Sequence, residues 1–255
     1  MLLAGSRDTA ASTGGLLVWG VGLLAPFAVV FGSVSASAVP FIAASASLHL
    51  AYFVLLARAY RGGAVSVVYP VARGVAPALV LVVGVLGLGR GVGWLAAAGV
   101  LAVSAGLLLL ARDEFRSHSE RNSSRTRRDL WFGLAIAAVI ATYTLVDAEG
   151  VERANPVAYL ALITAPCALL FPAVAGQRPD LTARSALTAA ATFGAYLLVL
   201  AALQLAPPAP VAATRESSIV IATLLAAAFL HERLTTPKLA GALTVTAGVA
   251  AIAYS

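Results

Sequence analysis

The feature that most constrains this chain is a succession of nine long apolar runs, at about 16–33, 38–57, 64–89, 92–111, 130–146, 156–175, 185–206, 208–230 and 238–254. A bilayer's hydrocarbon core takes about 20 apolar residues of helix to cross. Inside lipid, only helices or a closed barrel satisfy every backbone hydrogen bond. A barrel needs short strands of alternating polarity, and these runs are long and apolar on every side. The reading is all-α: a polytopic membrane helix bundle of about nine transmembrane helices, multi-pass in the cell (plasma) membrane. Composition agrees, with only 11% charged residues among 255, roughly half the share usual in soluble domains.

The net charge of +6 does not point to nucleic acid. The basic residues sit in short gaps between apolar runs, where membrane insertion places them. Cys167 is the single cysteine, so no disulfide forms within the chain, and a buried packing role is expected. Trp19, Trp94 and Trp131 fall near span starts and read as interfacial anchors.

The polar gap at 112–129 holds six arginines and four acids and is expected to be a flexible cytoplasmic connector. It separates a first repeat of four helices, 16–111, from a second of five, 130–254. With the connector inside and the sides alternating, thirteen Lys and Arg fall inside and two, Arg90 and Arg153, outside. That bias expects a cytoplasmic N-terminus and an external C-terminus. Short links at Gly62-Gly63 and Pro207-Pro208 are expected to join antiparallel neighbours.

The chain also resembles itself. Shifted by 142 residues, Gly99-Val-Leu-Ala-Val-Ser-Ala-Gly106 falls on Gly241-Ala-Leu-Thr-Val-Thr-Ala-Gly248, with five of eight positions identical. The same shift sets Arg73 on Arg215. These arginines lie in the third and eighth spans. Five spans is an odd number, so the copies run in opposite directions, as in inverted-repeat transporters whose solute site lies between the repeats. The glycine pairs, spaced by two helical turns, are expected to permit close helix packing.

Tyr69-Pro-Val-Ala-Arg-Gly74, Ala213-Thr-Arg-Glu-Ser-Ser218, Leu230-His-Glu-Arg-Leu234 and the glycine-paired closing helices resemble the EamA branch of the drug/metabolite transporter superfamily. The resemblance implies ten helices in two inverted five-helix repeats around a central cavity, and export or exchange of amino acids, other metabolites or drugs. Two departures stand out. The first helix of the first repeat is missing by this count, through a start codon set too late or a lost helix. The family's acidic residue after the fourth helix is Arg90 here, whereas Glu232 keeps it in the second half. The family's C-terminus is also commonly cytoplasmic, unlike the orientation counted above.

The candidate substrate-binding residues are Arg73, Arg215, Glu216, Tyr69 and His49. An arginine deep in a span costs roughly 2.5–3.5 kcal/mol on insertion scales, and Arg73 lies about 14 Å into its helix. The two arginines could flank a cavity for an anionic or zwitterionic solute, or clamp helix ends; both readings stay open. Glu216 adjoins Arg215 and, being one step along a helix, is expected to face away from it; it reads as an ion-pair partner of Arg73 ahead of a proton-coupling carboxylate. Tyr69 shares a face with Arg73, for solute contact or plain packing. Pro70 and Pro77 bracket Arg73 and free backbone carbonyls. His49, mid-span, reads as a packing residue ahead of a proton relay. Asp147 and Glu149 are expected at a solvated span end.

No metal-ligand cluster, phosphate loop or catalytic triad is present, so no cofactor and no enzyme activity are expected. His231-Glu232-Arg233 reads as a membrane-edge turn. The reading is a secondary transporter of a small metabolite by alternating access. The alternatives are an intramembrane enzyme on a lipid-linked substrate and a non-transporting assembly partner. The expected partners are membrane lipid and a small-molecule solute, with a homodimer left open.

Overall fold

A computed structural model of the protein describes residues 9–61, 65–121, 123–230 and 235–255. The Gly62-Gly63 link and the His231-Glu232-Arg233 turn lie outside the described residues. Among those described, eight helices are long and apolar enough to cross a membrane, and a ninth, Trp94–Leu110, is a shorter apolar helix. These helices match the nine runs in order. Large apolar side chains such as Leu86, Leu169, Leu198 and Phe229 point outward and stay exposed, as helices that are apolar all round require of a lipid-facing surface.

The chain divides into two compact units, 1–62 with 145–205 and 63–144 with 206–255. Each draws helices from both sides of the polar gap.

The first unit contains α1 (Thr9–Phe31), a 3-10 turn (Ala36–Ala38), α2 (Val39–Arg61), the end of α6 (Ser123–Val151), α7 (Pro156–Ala175) and α8 (Ala183–Leu203). Helix α7 has legible ends. The Asn155 side chain accepts from the Val157 N–H at 2.9 Å, Pro156 opens the helix, and Gly176 closes it at φ +67°. Asparagine caps, proline at the first position and glycine in the left-handed region suit those three places. Helices α1 and α7 run antiparallel, since Gly14 packs on Pro179 while Gly32 meets Ala158. Under the 142-residue shift these two helices are equivalents. Cys167 on α7 is buried, its thiol within reach of the Ile163 carbonyl at 3.3 Å and of the Ala46 carbonyl of α2 at 3.4 Å.

The second unit contains α3 (Val65–Val82), which ends in a π-helical turn (Val83–Gly87), then α4 (Trp94–Leu110), α5 (Arg112–Arg121), the first part of α6, α9 (Pro208–Arg215), α10 (Ser217–Leu230) and α11 (Thr236–Ala253). Its α4 and α11 cross on the four glycines of the sequence repeat. A Cβ on Gly99 would stand 2.7 Å from the Gly248 carbonyl oxygen, and one on Gly106 would stand 2.8 Å from that of Gly241. Low numbers on one helix meet high numbers on the other, so the two copies are antiparallel where they touch. Only glycine allows backbones this close.

Two expectations are corrected here. The gap at 112–129 was expected to be flexible, yet α5 and the first turns of α6 lie in it. Its charges are spaced to support helix, as in the Arg116–Glu120 pair at 3.1 Å, one turn apart. The single run at 208–230 is two helices, α9 and α10, broken at Glu216.

Candidate functional site

The break in the second unit sets the geometry of the first cluster. The Glu216 N–H donates to the Ala213 carbonyl and the Ile219 N–H donates to the Glu216 carbonyl, both at 3.0 Å. These i to i+3 bonds mark a tightened turn in place of the α ladder. The Glu216 side chain is fully buried. Its Oε2 lies 2.7 Å from Arg73 Nε, and its Oε1 lies 3.3 Å from Arg215 Nε. The pairing with Arg73 follows the sequence reading, but the separation from Arg215 does not. Neighbours diverge on an unbroken helix; at this break the long Arg215 side chain reaches the carboxylate beside it. Tyr69, one turn before Arg73, places its ring centre 5.8 Å from the Arg73 guanidinium carbon, within cation–π range. Two guanidiniums thus converge on one carboxylate. Both arginine side chains are mostly buried, at 16% and 13% exposure.

A second cluster lies in the first unit and was missed in the sequence. Asp147 is fully buried, not at a solvated span end, because α6 continues to Val151 instead of stopping near 146. Ser45 Oγ and Tyr159 OH donate to its Oδ1, the latter at 2.9 Å, and Tyr196 OH donates to its Oδ2. Three helices, α2, α7 and α8, thus each send one hydroxyl to one carboxylate on α6. Gly150 makes room for this: a Cβ there would stand 2.2 Å from the Tyr159 ring.

His49 belongs to this second cluster and not with Arg73. Its Nδ1 lies 2.9 Å from the Ser45 carbonyl oxygen and 3.1 Å from Ser45 Oγ. A carbonyl only accepts and Ser45 Oγ gives its hydrogen to Asp147, so Nδ1 carries the ring hydrogen. The His49 ring meets Tyr196 edge-on, with centres 5.6 Å apart. Glu149 instead pairs with Arg153 at 2.9 Å, and the Arg153 guanidinium carbon sits 4.8 Å from the Phe41 ring centre.

A broken apolar helix with charged groups gathered at the break is a device of membrane transport proteins, and the class that the helices define is a multi-pass helical membrane protein. The model of the EamA-like transporter family matches residues 128–254, and through that segment the chain belongs to the EamA-like transporter family. A transporter role follows from the family. A solved structure described only as "Crystal structure of protein" is similar over 98% of this chain and 90% of its own, with a TM-score of 0.77 and 12% identity; at that identity the likeness concerns the fold. No curated protein matches by sequence.

Proposed function

We propose that the protein is a secondary transporter that exports or exchanges a small metabolite, such as an amino acid or drug-like solute, by alternating access. In this reading Arg73, Arg215, Glu216 and Tyr69 hold the solute's anionic group. The observation that carries it is the convergence of the two repeat-related arginines on Glu216 at the α9–α10 break. Glu216 fixes both guanidiniums in place. The planar guanidinium donors suit a carboxylate or phosphate, and the Tyr69 face adds an apolar, hydrogen-bonding wall.

The test compares Arg73→Ala and Arg73→Lys in proteoliposomes at matched folded yield. A lysine keeps the charge and loses the planar fork of donors. Expected is loss of flux of at least about tenfold in the alanine variant, equivalent to about 1.4 kcal/mol, with partial activity in the lysine variant. A fall in folded yield that accounts for all of the lost flux would make Arg73 a structural clamp instead.

A further inference from the structure

The Asp147 cluster has no part in the solute-binding centre just described, and its chemistry differs. Burying a carboxylate without a counter-charge is expensive, and proteins meet the cost by pairing or protonating the group. Here no cation among the described residues pairs with Asp147; its partners are the hydroxyls of Ser45, Tyr159 and Tyr196. Three O–H donors occupy its oxygens, yet they bring no charge. One acceptor position remains on Oδ2, because Oδ1 takes two of the three donors and a carboxylate offers about four such positions. The carboxylate is fully enclosed, so the ligand that fits without rebuilding the site is a proton.

The surroundings supply a second proton carrier. His49 meets Ser45 through Nδ1, and Ser45 meets Asp147, so a histidine and a carboxylate are joined through a single hydroxyl. The other titratable groups around Asp147 are few. Helix α7 contributes Tyr159, with Cys167 two turns further along; α8 contributes Tyr196; and α1 has no charged residue between Thr9 and Phe31. On α6, Tyr143 is buried one turn before Asp147, and Glu149 is held by Arg153, which also lies 3.6 Å from Glu152. We propose that Asp147 and His49 form a proton-binding site, linked through Ser45, by which the protein couples solute movement to protons. Asp147 takes up a proton as a neutral acid and returns it as the carboxylate; Ser45 exchanges one hydrogen for another as the proton passes to or from His49. The coupling rests on the transporter reading, whereas the proton site does not.

Infrared difference spectra of the purified protein in lipid, titrated with pH, read the protonated-carboxyl C=O stretch directly. The expected result is a titrating band that disappears in Asp147→Asn and whose midpoint is displaced in Tyr196→Phe, which keeps the ring and removes one donor. If Asp147→Asn does not fold, Tyr196→Phe and Ser45→Ala carry the test through the displaced midpoint. Identical spectra in wild type and variants, or a band that responds to Na⁺ and not to H⁺, overturn the site. In proteoliposomes, a pH gradient is expected to drive solute accumulation by wild type, while Asp147→Asn retains solute exchange and loses that drive. Exchange insensitive to pH in both overturns the coupling and leaves the transporter reading standing. Absence of any flux alongside a titrating Asp147 overturns the transporter reading, and with it the coupling, and leaves the proton site.

Discussion

Among the described residues two carboxylates are completely buried, Glu216 in one unit and Asp147 in the other, and the problem of each is solved differently. Glu216 is neutralised by fixed charge from Arg73 and Arg215. Asp147 is surrounded by neutral hydroxyls. An ion cluster resists change, because each member is held by a charge of the opposite sign. A hydroxyl-held carboxylate can gain or lose charge with a single proton. The first arrangement suits a site that must always present the same field to a solute. The second suits a site that must change state.

The largest effect that would break this comparison is expected from Glu216→Gln. Removing one member of a buried ion cluster costs about 3–5 kcal/mol, because the charges left behind lose their compensation. Thermal unfolding in detergent should therefore show a marked loss for Glu216→Gln. Equal stability would show that the arginines are balanced without the carboxylate. A smaller effect is expected from Gly150→Val. It alters no charge, but its Cβ would fall 2.2 Å from the Tyr159 ring, and such overpacking costs about 1–3 kcal/mol. The same thermal assay should show an intermediate loss, and the Asp147 titration should move with it. An unchanged titration would mean that Tyr159 does not hold the carboxylate. The smallest effect is expected from Tyr69→Phe, which keeps the ring over Arg73. Its stability should stay within about 0.5 kcal/mol of wild type, so any change in flux reports a hydroxyl contact with the solute.

The two clusters also differ in how far the sequence announces them. Arg73 and Arg215 stand out because the 142-residue repeat places one on the other and because charge within an apolar run is rare. Their partner Glu216 is legible for the second reason. The reach of Arg215 to Glu216 was not, since it depends on a helix break that the unbroken apolar run at 208–230 conceals. The Asp147 cluster has no echo in the repeat: position 17, 142 residues before Tyr159, is Leu17, and position 54, equivalent to Tyr196, is Val54. Serine and tyrosine are ordinary residues in apolar helices, and only the packing of four helices gathers them around one acid. A span drawn to end at 146 then left Asp147 outside the membrane by one residue. The Gly99–Gly248 and Gly106–Gly241 contacts were the reverse case, because a spacing of two turns on both copies is itself a statement of which faces meet.

The most direct measurement is uptake of radiolabelled anionic or zwitterionic metabolites into proteoliposomes containing the folded wild-type chain. The expected result is flux that saturates with solute concentration and is competed by unlabelled solute of the same class. Uptake that rises linearly and equals that of empty liposomes for every such solute, with the protein folded and inserted, would contradict a carrier built around the Arg73–Glu216–Arg215 centre.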